Sequence, residues 1–211
     1  MINTREVAAF IDNVIVGTET EEGYDEIVAE VIRRLEKNNL YMKPEKCKWK
    51  VREVGFLEVM IRPEEMKMEK EKVKEILEWP TPICVKDVQK FLGLANYYHQ
   101  FIQGFATIAR SLYDMVKKDK KWDWTEKQEK VFRELKEKFT KEPVLVALDL
   151  DKKMRMEVDT LDYVTGGVLS IEGEDRLWRP VVFLSKSLNE TKRNYEIHDK
   201  EMLVIIRGLE N

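Results

Sequence analysis

Three carboxylates stand where their chemistry would matter. Asp12 falls between two short apolar runs in REVAAFIDNVIVG, residues 5–17. Asx residues tolerate turn geometry, so the stretch reads as a tight β-hairpin with Asp12 at its tip. A carboxylate there could ligate Mg²⁺, because two-metal phosphoryl transfer needs several carboxylates converging on ions about 4 Å apart. It could equally be a turn aspartate chosen for its backbone hydrogen bond. Asp159 ends or interrupts the apolar run MRMEVD, and Glu201 lies in a helical segment beside Met202. Taken singly, these two read as a strand-edge Asp and a solvated helical Glu as readily as metal ligands.

Cations and aromatics form a second set. The run KKDKK supplies Lys117, Lys118, Lys120 and Lys121, which could contact phosphates. Lysines alternating with glutamates in the helix that follows also fit an ordinary solvated face. Tyr97, Tyr98, Trp122 and Trp124 could stack on bases or line a groove. Aromatics beside a helical stripe also serve as core. His198 is a lone histidine in a helix and receives no role. Cys47 and Cys84 lack CxxC spacing. They point neither to zinc nor to a disulfide framework, and a reducing compartment is the expectation.

These residues need elements to hold them. After the hairpin, Tyr24, Ile27, Val28, Val31, Ile32 and Leu35 fall at helical spacing, with acidic residues at the helix start. Strand-like pieces follow at Cys47–Val51 and Val54–Ile61. A hairpin, a packed helix and more strands make an α+β unit. From Lys70 the pattern turns helical: Glu71–Trp79, stopped by Pro80 and Pro82, then Val85–Phe101 and Phe105–Val116. Thr125 with Gln128 is a candidate capping box for a helix whose stripe is Phe132, Leu135 and Phe139. The last third reads as strands at Val144–Ala147, Met154–Asp159, Thr165–Ile171 and Trp178–Leu184. Ser187 with Glu190 offers a second capping box. A closing helix is expected to bury Tyr195, Met202, Leu203, Ile206 and Leu209.

The bulk numbers narrow the classes. The 211 residues allow one large or two small domains. Apolar residues make up 43%, enough for a core, and the net charge is only −3, so any nucleic-acid surface must be a local patch. No apolar run approaches the roughly 20 residues a membrane span needs. MINTREVAAF has no signal-peptide layout. A soluble, intracellular chain is expected, with cytoplasm and nucleus undecided.

The order of the motifs adds more. FIDNVIV at 10–16 resembles the YxDD-type hairpin of reverse transcriptases, and NNLYMKPEKCKWKVREVGFL at 38–57 resembles the palm segment after it. ILEWPTP and VQKFLGLANYYHQFI, within 76–102, are similar to the thumb of Ty3/gypsy elements. WDWTEKQEKVFRELKEKFTKEPVL at 122–145 resembles the entry to their RNase H-like domain. MEVDTLDYVTGGVLS and RPVVFLSKSLNETKRNYEIHDKEMLVII, within 156–206, resemble its first strands and helix. The resemblance covers essentially the whole chain, to the reverse transcriptase and RNase H region of Ty3/gypsy-type LTR retrotransposon polyproteins.

That resemblance implies an α+β chain of three pieces. Residues 1–69 would be the C-terminal part of a ferredoxin-like palm, 70–120 a helical thumb, and 121–211 the N-terminal part of an RNase H-like mixed sheet with one helix. It implies catalytic and Mg²⁺-binding roles for Asp12, Asp159 and Glu201. It implies a template–primer or RNA–DNA hybrid lying against 84–116 largely by shape and backbone contacts, with dNTP as substrate of the intact family. Lys117, Lys118, Lys120, Lys121, Tyr97 and Tyr98 are the candidate substrate contacts.

The departures from the family pattern imply a polymerase and ribonuclease H by descent that is inert as written. The palm pair reads Asp12-Asn13, and an amide is a poor Mg²⁺ ligand. The usual FLG reads Phe56-Leu57-Glu58, and DAS reads Asp159-Thr160-Leu161. The palm's upstream Asp, the fingers and the later RNase H carboxylates fall outside the chain. The alternatives are a non-catalytic hybrid-binding module and a domesticated interaction subunit. Asp to Asn at Asn13, Gly to Glu at Glu58, Ala to Val at Val164 and Val204, and Pro to Ser at Ser111 each need one C-to-T or G-to-A change. A transposon copy decayed by cytosine deamination accounts for all of them. Sequencing the gene should show an excess of C-to-T changes and a TAG or TGA after the Asn211 codon. Codon changes of other classes at these sites would sink the idea.

Overall fold

The computed structural model describes residues 6–18, 20–63, 65–141 and 144–210. Helices and antiparallel strands mix along a chain that divides into two compact units, Met1–Pro63 and Glu64–Asn211.

In the first unit, β1 (Val7–Phe10) pairs antiparallel with β2 (Asn13–Val16), with Phe10 opposite Asn13. Ile11 and Asp12 therefore form the two-residue turn. Ile11 takes φ 52°, a left-handed conformation that costs a β-branched residue about 1–3 kcal/mol. Helix α1 (Glu21–Lys37) starts at Thr20, whose hydroxyl accepts from the Gly23 N–H at 3.2 Å. Glu21 and Glu22 at its start and Arg34 and Lys37 at its end complement the helix dipole. It closes where the Asn38 side chain donates to the Arg34 carbonyl at 2.7 Å.

The strand expected over Val54–Ile61 is instead a hairpin of β3 (Val54–Phe56) and β4 (Val59–Arg62). Leu57 and Glu58 sit at φ 51° and 60° between them. A two-residue turn with both residues left-handed matches the strand twist but favours Asn-Gly, so neither residue type announces it. The strand expected at Cys47–Val51 does not form. A 3₁₀ turn at Pro44–Lys46 leads into irregular chain. All buried apolar side chains among the described residues lie at Met68 or beyond, so this unit holds its shape with backbone and surface bonds.

The second unit has the core. Strand β5 (Glu65–Met68) precedes α2 (Lys70–Glu78), α3 (Val85–Tyr97), a 3₁₀ turn at His99–Phe101, α4 (Phe105–Met115) and α5 (Glu126–Thr140). Pro80 and Pro82 stop α2, because proline lacks the donor and restricts the residue before it. Val88, Phe91, Leu92 and Ala95 form the buried stripe of α3, and Phe132, Leu135 and Phe139 that of α5. The expected cap at Thr125 is present, its backbone N–H donating to Gln128 Oε1 at 3.3 Å. In α4 the Ser111 hydroxyl is buried with no hydrogen-bond partner among the described residues.

Strands β6 (Met154–Leu161), β7 (Val164–Glu172) and β8 (Trp178–Ser187) make an antiparallel meander in the order β6-β7-β8. The mixed sheet expected here is antiparallel throughout the described residues, as short turns between successive strands require. The run 144–147 is not a strand. Only Leu145 bridges, to Met66. Asn189, not Ser187, caps α6 (Glu190–Arg193), accepting from the Lys192 N–H at 2.9 Å.

Helix α7 (Ile197–Glu210) covers one sheet face. A Cβ at Gly167 would come within 3.3 Å of Val204, and one at Gly208 would meet Met156 and Leu184. The expected burial of Tyr195, Met202 and Ile206 is not met. They are 41%, 56% and 46% exposed, while Val204 is 2% exposed and Lys200 is also buried. The helix presents Val204 rather than the Met202–Ile206 side to the sheet. The side chain of Leu209 lies outside the described residues. On the other sheet face α4 docks by its N-terminus. Its Ala106 N–H donates to Ser185 Oγ at 2.9 Å, and Arg110 lies 3.6 Å over the Tyr163 ring.

Two outcomes follow. Amides of 6–62 should exchange with deuterium far faster than those of α3, α5 and β7, measured by mass spectrometry on the intact chain. Equal protection would contradict the missing core. At the β7–β8 turn, the Arg179 guanidinium holds the Asp175 carboxyl down to about 2, helped by the Leu177 N–H. A depressed carboxyl contributes above its ordinary range and stops contributing as pH falls through the folded value. NMR shifts of 173–178 should therefore hold to pH 4 and change toward pH 2, and Arg179→Gln should move that change upward.

Candidate nucleic-acid interface

Asp12 is exposed at the hairpin tip, as the sequence suggested. Its Oδ1 accepts from the Asn13 side-chain amide at 3.3 Å. The amide gives the carboxylate a donor where a second carboxylate would repel it. Asn13 opens β2 rather than sharing the turn.

Alternation along β6 separates the sheet's two faces. Met156, Val158 and Thr160 lie on the α7 side. Arg155, Glu157, Asp159 and Leu161 are exposed on the other. Arg155 confirms the grouping, pairing with Glu157 at 3.0 Å and lying 4.6 Å over the Trp178 ring. Asp159 is thus exposed at the sheet edge, on the face where α4 docks, opposite Gly166 on β7. Glu201 rides half-buried on α7, over the opposite face. Among the described residues, no three His, Cys, Asp or Glu side chains converge as a metal site.

The proposed contact residues divide. Lys117, Lys118, Lys120 and Lys121 are all exposed on a connector whose turn closes by the Lys120 N–H donating to the Lys117 carbonyl at 3.3 Å. Lys117 also pairs with Asp114 at 2.5 Å. Tyr97 is 49% exposed, but Tyr98 is fully buried, its ring 6.4 Å from Phe101. Tyr98 is core, and its ring is closed to a base. Trp122 and Trp124 stack on each other at 5.7 Å, and Trp124 donates to Glu129 at 3.0 Å while its ring meets Phe132. That pair is spent within the protein, with Trp122 37% exposed.

One feature of α3 escaped the sequence reading. Its outward face carries Lys86, Gln89, Lys90, Gly93, Asn96 and Tyr97, all exposed and spaced by three and four residues. A Cβ at Gly93 would meet nothing within 4 Å. Glycine in mid-helix costs about 1 kcal/mol against alanine, and no internal contact here requires it. The signal was present as a glycine inside a helical stripe, Phe91-Leu92-Gly93, which usually has a packing or functional reason.

A family profile for the RNase H-like domain found in reverse transcriptase matches residues 124–211. The Tf2-7 and Tf2-3 transposon polyproteins of Schizosaccharomyces pombe (strain 972 / ATCC 24843) are each 30% identical over 205 residues, 97% of this chain. The chain spans 15% of the length of those relatives. Among solved structures, a foamy viral protease-reverse transcriptase bound to RNA/DNA hybrid superposes with a TM-score of 0.78 at 18% identity. It covers 96% of this chain and 28% of that one. A dRH form of the same viral protein bound to ds DNA gives a TM-score of 0.78, with 36% of its chain covered. At that identity the likeness carries the fold. The sequence relatives and the domain profile agree with each other: residues 124–211 carry the RNase H-like domain found in reverse transcriptase, and the chain as a whole is similar to a segment of Ty3/gypsy-type transposon polyproteins.

Proposed function

We propose that this segment grips a nucleic-acid duplex, an RNA–DNA hybrid or template–primer, through the outer face of α3, and that it performs no chemistry alone. Residues 1–69 then act as the C-terminal palm, 70–120 as the thumb and 121–211 as the start of the RNase H-like domain. The single observation that carries the reading is Gly93. A helical glycine with open space above it, between Lys90 and Tyr97, lets a sugar–phosphate backbone approach the helix closely. Lys86 and Lys90 would meet phosphates, and Tyr97 would lie against the groove. The foamy viral proteins of the same fold bind ds DNA and RNA/DNA hybrid, which supports a duplex as the ligand.

Polymerisation, with its dNTP and Mg²⁺, and hybrid cleavage are assigned to the longer polyprotein. Asp12, Asp159 and Glu201 would contribute single ligands there, completed by carboxylates from other segments.

The test is hybrid binding by the whole chain. Binding should survive EDTA, and no primer extension or RNA cleavage should appear with Mg²⁺. Gly93→Ala should raise the thermal midpoint by about 2–4 °C, the effect of about 1 kcal/mol in a chain this size. Gly93→Leu should fold yet bind hybrid at least tenfold more weakly. Neutralising Lys86 and Lys90, or the four connector lysines, should flatten the salt dependence. A Gly93→Leu variant that binds as tightly as the parent would sink the α3 interface.

A further inference from the structure

We infer that the lobe at 41–52 in the first unit is a second nucleic-acid site, one that takes single-stranded RNA or DNA. The lobe holds five cations, Lys43, Lys46, Lys48, Lys50 and Arg52, against one carboxylate, Glu45, in a chain whose net charge is −3. All six are exposed. Only Lys50 is engaged, with Asp25 at 2.9 Å. Lys43, Lys46, Lys48 and Arg52 have no carboxylate within 4.0 Å among the described residues. Four unpaired charges on so short a stretch repel one another unless a polyanion neutralises them.

Two aromatics are interleaved with these cations. Tyr41 is 92% exposed and Trp49 47%. An outward ring offers a face to an unpaired base and little to a base already stacked in a duplex. Cations for the backbone and rings for the bases are the two requirements of single-strand binding. The bland alternative is a half-buried strand, since Cys47, Trp49 and Val51 alternate with Lys48, Lys50 and Arg52. The structure does not pair this stretch as a strand, and Lys50 at φ 49° breaks the alternation.

The lobe is also held in place. The Leu40 N–H donates to the Leu35 carbonyl at 2.9 Å at its start. The Lys50 N–H reaches the Tyr24 hydroxyl at 3.4 Å near its end. The 3₁₀ turn between them closes at Cys47, whose N–H donates to the Pro44 carbonyl at 3.0 Å, while its Sγ packs 3.9 Å from Met42 Sδ. Met42 and Cys47 turn inward and the cations outward.

The probe is a fluorescently labelled 12-nucleotide oligo-dT, titrated by anisotropy against the whole chain at several salt concentrations. Replacing Lys43, Lys46, Lys48 and Arg52 together by Gln should weaken binding at least tenfold and lower the salt slope by about 3, at about 0.7 per phosphate on a single strand. Tyr41→Ala, which leaves every charge in place, should cost about 5- to 100-fold. Trp49 fluorescence should quench on binding. Unchanged affinity and slope in the Gln variant, with circular dichroism matching the parent, would overturn the site. Equal capture by anionic lipid vesicles, competing with the oligonucleotide, would overturn it in favour of a membrane surface. The α3 interface is judged separately: Gly93→Leu should weaken hybrid binding and leave oligo-dT binding intact. Loss of oligo-dT binding in Gly93→Leu but not in the lobe variants would remove the second site and leave the first.

Discussion

The contact between Phe91 and Phe132 organises the second unit. Both side chains are almost wholly buried, with ring centroids 4.7 Å apart at 61°. Trp79 meets Phe91 edge-on at 6.0 Å, and Trp124 meets Phe132 at the same distance, with Trp122 stacked outside it. Edge-to-face pairs of this kind contribute about 0.5–1.5 kcal/mol each beyond the area they bury. The run of five rings joins the end of α2, the middle of α3, the middle of α5 and the entry to α5. Lys136 fastens it from the side. Its ammonium lies 5.1 Å from the Phe132 ring and donates to the Trp79 carbonyl at 2.7 Å, and burial pushes its pKa down. With Phe91 fixed inward, the face of α3 that carries Gly93 and Tyr97 can only point out.

The first unit has no equivalent. Its helix buries no side chain, and its two hairpins turn through Ile11, Leu57 and Glu58 in left-handed backbone. Such turns cost energy that a packed core normally offsets. The bonds that tie this unit lie at its surface: the Thr20 cap, the Asn38 amide on Arg34, and Lys50 on Asp25. The lobe at 41–52 is shaped by a few such bonds rather than by packing, which leaves its cations and rings outside.

How much of this was legible depended on whether the signal was local. The Asp12 hairpin, the α3 and α5 stripes and the Thr125 cap are written in residue type and spacing, and they form where expected. The Leu57-Glu58 turn was hidden because the glycine that would announce it is a glutamate. The orientation of α7 was hidden because apolar residues surround that helix, and only packing on Gly167 selects Val204 as the inward position. Tyr98 looked like a partner of Tyr97, yet adjacent helical residues point about 100° apart, and one is core while the other is surface. Asp159 was legible as a strand residue. Its place on the face away from α7 required the register with β7.

The departures from the family pattern have unequal structural consequences. Glu58 occupies a left-handed position made for glycine. Ser111 buries a hydroxyl with no hydrogen-bond partner among the described residues, a defect of about 1–3 kcal/mol. Asn13 replaces a ligand with a donor that occupies Asp12 instead. Val204, by contrast, fills space over Gly167 at no evident cost. None of these departures falls on the outer face of α3, where Gly93 stands with Lys86, Lys90 and Tyr97 around it. On the proposed reading, the α3 face keeps the residues for holding a duplex where the Asp12 hairpin carries a single carboxylate.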